Sequence, residues 1–183
     1  LTETFMDQAP PVNPRQQFES LRTNGWQPRF HLTQTVADCA DHINRPHEDY
    51  PARVKDTIKA IDEAVTEVRR LMARPGQPIL SSDIAVAAHR RIFSDHGKQA
   101  GRWRQVNVRV ADHIAPDHQL VGKLMDQLEQ AYALQNPSQR DLEDWHFCYE
   151  TVHPFRDGNG RTGGVTIAAI HFALHGIYLT PGQ

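Results

Sequence analysis

A mostly α fold follows from three features of the sequence. Apolar residues recur at helical spacing along most of the chain. Strong helix starts and stops punctuate those stripes, and only one short stretch alternates with period two. The chain has 183 residues, enough for one domain with a real core.

The elements can be justified in order. Residues 1–17 are polar and carry Pro10, Pro11 and Pro14, which predicts a flexible arm with little regular structure. Residues 18–183 then form a single domain. Its first part, to residue 50, holds scattered apolar residues (Phe18, Leu21, Trp26, Phe30, Leu32, Val36), enough for one or two short helices. After Pro51, Val54, Ile58, Ile61, Val65, Val68 and Met72 follow 4-3-4-3-4 spacing and mark one face of an amphipathic helix. Pro75-Gly-Gln-Pro78 ends it. Ser81-Ser-Asp83 is a good N-cap cluster for a second helix running through Phe93.

From Trp103 to Val110 the pattern changes. Val106, Val108 and Val110 alternate with Gln105, Asn107 and Arg109, which predicts a strand, and Ala111-Asp-His-Ile114 could turn it into a hairpin. Helix returns over 117–135, with Leu120, Leu124, Leu128, Ala131 and Tyr132 on one side. Asn136-Pro137 stops that helix and Ser138 caps the next, whose stripe is Leu142, Trp145, Tyr149 and Val152. The segment Val165–Leu174 is apolar on nearly every side and reads as a central, buried helix closed by Gly176.

Composition excludes several function classes. The formal charge is -2, so nothing draws the chain to nucleic acid or to an anionic membrane. No stretch approaches about 20 apolar residues, so no membrane span is expected. Cys39 and Cys148 are the only cysteines, which suits a reducing cytoplasm better than a disulfide scaffold. The chain begins at Leu1 rather than Met, which reads as a piece of a longer protein. His171 and His175 lie at i, i+4 but lack a third ligand at motif spacing, so a zinc site is not expected. Cys148 falls on a helix face beside Phe147 and reads as a packed thiol.

The chemistry concentrates between the last two helices, in His153-Pro-Phe-Arg-Asp-Gly-Asn-Gly-Arg-Thr-Gly-Gly164. A formal G-x-G-x-x-G starts at Gly158. A dinucleotide fingerprint would need a strand before it and an acidic residue about 20 positions later. Here a helix precedes it and no Asp or Glu follows Asp157. A phosphate-binding P-loop would need Gly-Lys-Ser/Thr, and the loop has no lysine. Yet a glycine-rich turn opening a helix still presents N–H groups to an anion at the positive end of the helix dipole. Gly158 and Gly160 allow the backbone to curl into a nest, Asn159 offers an amide and Arg161 a bidentate cation. Asp157 offers a hard oxygen suited to Mg²⁺ that also touches substrate phosphates. His153, with an ordinary pKa near neutrality, can take a proton from a hydroxyl. Phe155 reads as the apolar peg that anchors the loop. The set describes transfer of a phosphate-containing group to a hydroxyl.

His153-Pro-Phe-Arg-Asp157-Gly-Asn-Gly-Arg161 closely resembles the signature of the Fic (Fic/Doc) family, H-P-F-x-[DE]-G-N-G-R-x-x-R. His89-Arg-Arg-Ile-Phe93, Gly101-Arg-Trp-Arg104 and Val106-Asn-Val108 resemble the segment leading into the family's flap hairpin. The resemblance covers about residues 50–180 and implies a helical bundle with a small β-hairpin flap beside the active loop. It implies an enzyme moving AMP from Mg-ATP to a Ser, Thr or Tyr hydroxyl of a target protein. Carried over by position, His153 is the general base and Asp157 the Mg²⁺ ligand. Gly158, Asn159, Gly160 and Arg161 are the phosphate-binding residues, while Val106, Asn107 and Val108 form the flap that aligns the target. Trp103 reads as an anchor for that flap.

The sequence departs from the pattern at its last position, where Gly164 replaces the second arginine. That leaves three readings: AMP transfer weakened by the loss, transfer of another phosphate-containing group, or a Fic-fold binding protein without turnover. Arg102, Arg104 and Arg109 are candidates to compensate. The family's inhibitory motif, [ST]-x-x-x-E-[GN], is absent because no glutamate here is followed by Gly or Asn. Inhibition would then come from a separate antitoxin-like protein (a candidate partner), from a segment outside this sequence, or not at all. The resemblance also allows an effector delivered into a target cell.

Overall fold

The computed structural model describes residues 14–182, which the sequence folds into a largely helical body. Most of the arm expected over 1–17 lies outside the described residues. Its last part is helical, because α1 (Pro14–Glu19) starts on a proline whose fixed φ suits a first turn and buries Phe18.

A short strand follows, β1 (Phe30–Thr33), where the sequence suggested only helices. It pairs antiparallel with β4 (Tyr178–Pro181), with Phe30 opposite Pro181 and Thr33 opposite Tyr178. Four residues of mixed exposure carry too little period-two signal to be read alone, and the partner lies at the far end of the chain. Next, α2 (Val36–Asn44) is capped by the Thr35 hydroxyl, which accepts from the Asp38 N–H.

The long helix α3 (Tyr50–Met72) buries Thr57, Ala60, Ile61, Ala64, Val65 and Val68. Met72, expected on the same face, is 43% exposed because the helix ends there. Helix α4 (Ser82–Ile92) begins at the Ser81 cap, as its sequence indicated. The fourth large helix, α5 (Val121–Ala131), is preceded by a 3₁₀ turn at His118–Leu120. That turn rotates the buried face to Val121, Met125 and Leu128 and leaves Leu120 exposed, against expectation. Helix α6 (Gln139–Val152) starts in a reciprocal capping box between Ser138 and Asp141. Helix α7 (Asn159–His175) is buried along most of its length and closes at Gly176 with φ 74°. It packs along α3, with α4 and α6 beside it.

The hairpin is much smaller than the alternation suggested. Only β2 (Arg109–Val110) and β3 (His113–Ile114) pair, and residues 103–108 run irregularly. Side chains account for the difference. Arg104 turns inward, and the Asn107 amide accepts from the His118 N–H at 2.8 Å, curling the segment back on itself.

Candidate active site

The loop between α6 and α7 is shaped by two left-handed residues. His153 ends α6 at φ 53°, and Gly158 opens α7 at φ 86°. Between them Phe155 is fully buried, stacked on His89 at 4.0 Å between centroids and 5.0 Å from Trp103. His89 accepts from the Gly101 N–H through Nδ1 at 2.9 Å, so its Nε2–H donates to the Asp157 carbonyl at 3.0 Å.

Asn159 has a different role from the one the motif suggested. Its Oδ1 accepts from the Phe155 N–H and its Nδ2 donates to the Phe155 carbonyl, both at 2.7 Å. With 1% exposure, this amide braces the loop through both its oxygen and its nitrogen. Gly158 is similarly committed, since its N–H donates to Asp157 Oδ1 at 2.9 Å. The donors left for an anion are the first-turn N–H groups of α7, at Asn159, Gly160 and Arg161, which have no intrahelical acceptor.

Arg161 is 2% exposed. Its Nη1 donates to Asp49 Oδ1 at 2.7 Å, its Nη2 lies 3.8 Å from Asp157 Oδ1, and its guanidinium stacks over Phe93 at 4.7 Å. Asp49 in turn accepts from Arg53 Nε at 2.9 Å. Its carboxyl is held below the usual range: burial opposes ionisation, but the Arg53 and Arg161 guanidinia outweigh it. Sequence reading missed Asp49 entirely, since 112 residues separate it from Arg161.

A cleft of about 360 Å³ opens beside the loop, lined by His89, His96, Gln99, Arg102, Arg156 and Asp157. Asp157 keeps a 60% exposed carboxylate there. One accessible carboxylate fits a Mg²⁺ ion that takes its other oxygens from water and phosphates. No cluster of three or more His, Cys, Asp or Glu suited to a metal occurs among the described residues. Of the arginines suggested as substitutes for the missing one, Arg102 reaches this cleft and Arg109 stands exposed on the hairpin. Arg104 does not compensate: it is buried against carbonyls. Arg156 joins the cleft unforeseen, because it fills the motif's variable position. The larger groove, about 380 Å³ between α3 and α4, touches none of the loop residues.

Gly164 lies under a tight cover. A Cβ there would meet Ile43 Cγ1 at 3.1 Å and Pro181 Cγ at 3.3 Å. Where the motif would place an arginine, the chain thus has an apolar contact among α2, α7 and β4.

His153 is partly buried, and its pKa falls to about 4, first through desolvation and then through Arg104, His113 and Arg22. Burial also takes His89 to about 4 and His146 to about 3. Glu150 moves oppositely, to about 7, because desolvation disfavours its carboxylate. These shifts fix a sign for acid stability. Between about pH 6.5 and 4.5 the unfolded chain protonates three histidines that the folded chain keeps neutral, so their contribution is lost as pH falls. Glu150 contributes in reverse, holding a proton in the folded state that is lost as pH rises through 7. The three histidines outweigh the one carboxyl, and His31, His47 and His113 shift in the same direction, so stability should drop as pH falls across this window. Thermal melts at half-unit steps would show it, and a flat profile would refute the assignment.

A glycine turn thus opens a buried helix within a largely helical body, with a histidine at its mouth. A model of the Fic/DOC family matches residues 79–171, and the chain belongs to that family. The protein adenylyltransferase Fic of Nematostella vectensis is 30% identical over 118 residues, 62% of this chain. The match spans 27% of that relative's length. Among the described residues no helix is long and apolar enough to cross a membrane.

Proposed function

We propose that the chain transfers AMP from ATP to a hydroxyl side chain of a target protein. The carrying observation is the neutral His153 at the mouth of a loop that leads into the unpaired N–H groups of α7. The target oxygen attacks the α-phosphorus as His153 takes its proton, and pyrophosphate leaves. A pKa near 4 keeps the imidazole unprotonated at neutral pH and so free to accept a proton, though as a weaker acceptor than an imidazole titrating near 7. The α7 amides oppose the charge that gathers on the transferred phosphoryl group. Mg²⁺, when bound at Asp157, supplies charge neutralisation of the donor phosphates. Arg161, held by Asp49, adds a fixed positive charge beneath the helix start rather than an open fork. Val106 and Asn107 are exposed and Val108 partly so, which supports a target-aligning role for this segment. A hydroxyl-bearing protein is thus the natural partner, and an inhibitor chain remains a candidate second one.

A second reading draws on Gly164. With Ile43 and Pro181 packed over it, no guanidinium holds a distal phosphate there, which favours a donor without a γ-phosphate, such as a nucleoside diphosphate derivative. Intact-mass spectrometry with Mg²⁺ and ATP, GTP, UTP or CDP-choline in parallel separates the two. An AMP adduct from ATP alone supports the first reading and an adduct from CDP-choline the second; with all four silent, Gly164→Arg is tested next, and restored adduct formation from ATP would mark an impaired AMP transferase.

The packing also bears on repair of the motif. Gly164→Arg should lower stability by about 1–3 kcal/mol, because Ile43 and Pro181 must move. Paired with Ile43→Ala, the arginine gains room, and ATP-dependent adduct formation should exceed that of the single variant. Equal melting temperatures for wild type and Gly164→Arg would show that the cover is not tight.

A further inference from the structure

Arg104 is 2% exposed, yet among the described residues it forms no ion pair, Asp117 acting on it only at longer range. Among the described residues, all of its side-chain hydrogen bonds go to main-chain carbonyls. Nε donates to His153 at 2.7 Å and Nη2 to Val152 at 3.2 Å. Nη1 donates to Val106 at 2.9 Å, and Nη2 also to Pro116 at 2.5 Å. Its own N–H donates to the Pro154 carbonyl at 2.8 Å. A guanidinium buried without a counter-ion is costly. Here the C-terminal end of α6 offsets that cost, since it presents orphan carbonyls and the negative end of a helix dipole.

These carbonyls fall into two groups. Val152, His153 and Pro154 form the turn that carries the imidazole. Val106 and Pro116 bracket the segment 107–115, which contains the hairpin. His113 in β3 adds a parallel link. Its Nδ1 accepts from the Thr23 N–H, so Nε2–H donates to the Thr151 carbonyl at 2.8 Å. The last carbonyls of α6 are therefore held from the hairpin side.

We propose that Arg104 is a positioning residue that ties both ends of the 106–116 segment to the turn bearing His153, so that target-holding segment and base move as one unit. In its catalytic consequence this rests on the transferase reading above. The tether itself does not. A loosely hinged flap could deliver a hydroxyl at varied distances from the base, and proton transfer tolerates little such variation.

Arg104 also acts through its charge. The groups influencing His153 are Arg104, His113 and Arg22, which disfavour its protonation, and the Glu150 main chain, which weakly favours it. Geometry and charge can be separated by substitution. Arg104→Lys keeps the charge but cannot span four carbonyls, whereas Arg104→Met loses both.

The test uses the whole chain. Amide exchange at Ala115, whose N–H donates to the Val108 carbonyl at 3.3 Å, reports the flap, and the NMR titration of His153 reports the charge. In Arg104→Lys, exchange at Ala115 should rise at least about tenfold, equivalent to one lost hydrogen bond, with the His153 midpoint unchanged. In Arg104→Met, exchange should rise similarly and the midpoint should move upward. With an active donor, Arg104→Lys should lower kcat while leaving KM for the nucleotide nearly unchanged. Wild-type exchange and an unmoved midpoint in both folded variants would overturn the proposal. If neither variant folds, denaturant-dependent exchange of the wild type decides: hairpin and α6 C-terminal amides that open together support the tether, and independent opening overturns it. Exchange and titration need no nucleotide, so a failed transferase reading leaves this test intact.

Discussion

His153→Ala and His153→Asn should each slow adduct formation by about 10²–10⁴-fold, the usual worth of a general base. Both are expected to remain folded. The ring is partly exposed, and the main constraint at this position is its left-handed backbone at φ 53°. Asparagine accepts that conformation more readily than most residues, whereas alanine accepts it less well. Asn should therefore match wild type in melting temperature and Ala should fall slightly below it, while both lose activity alike. That contrast separates loss of the base from loss of the loop. Continued modification at the wild-type rate in the Asn variant would remove His153 from the mechanism.

Gly158→Ala is expected to have the largest effect on stability. Two penalties coincide there. At φ 86° a Cβ is strained wherever it points, and in this loop it would sit 2.5 Å from Phe93 Cζ and nearer still to Cε2. Phe93 has little freedom to yield, being fully buried with the Arg53 and Arg161 guanidinia over its ring at 4.9 and 4.7 Å. Strain and overlap together should cost about 2–4 kcal/mol, or roughly 5–15 °C in Tm for a chain of this size. Phe93→Leu in the same chain should recover part of the loss, so the double variant melts above the additive expectation. Strict additivity would mean that the backbone, not the ring, bears the strain.

The contrast between these two loop residues shows what a sequence can convey. The helices α3, α4, α6 and α7 were legible because each pairs a continuous apolar stripe with a local start or stop: Ser81, Ser138 and Gly176 cap where they stand. The fold class and the position of the loop followed. The loop's internal bonding did not. Asn159 and Arg161 carry groups that suit phosphate, and nothing local reveals that Asn159 is bonded back to Phe155 or that Asp49 has taken Arg161. The hairpin was overread for the same reason. Alternating valines mark a strand only if a neighbour pairs with them, and here Val106 is itself 42% exposed while Asn107 accepts from the His118 N–H and curls the segment. Partners distant in sequence leave no periodic trace, and here they decide which polar groups remain available.

The pairing of β1 with β4 has a kinetic consequence. Thr33 and Thr180, whose hydroxyls meet at 3.0 Å, are 147 residues apart, so this ladder closes nearly the whole described chain into a loop. Closure over that span is slow relative to helix formation, and its entropy is lost before the short ladder offers any return. Pro181 is also part of the cover over Gly164. The cover over Gly164 in α7 therefore depends on a strand that leaves the ribosome after every residue of the loop itself. During synthesis α7 can form while its side at Gly164 stays open until β4 has emerged and paired with β1. Pulse-labelled exchange during refolding should accordingly find the amides of β1 and β4 protected after those of α7.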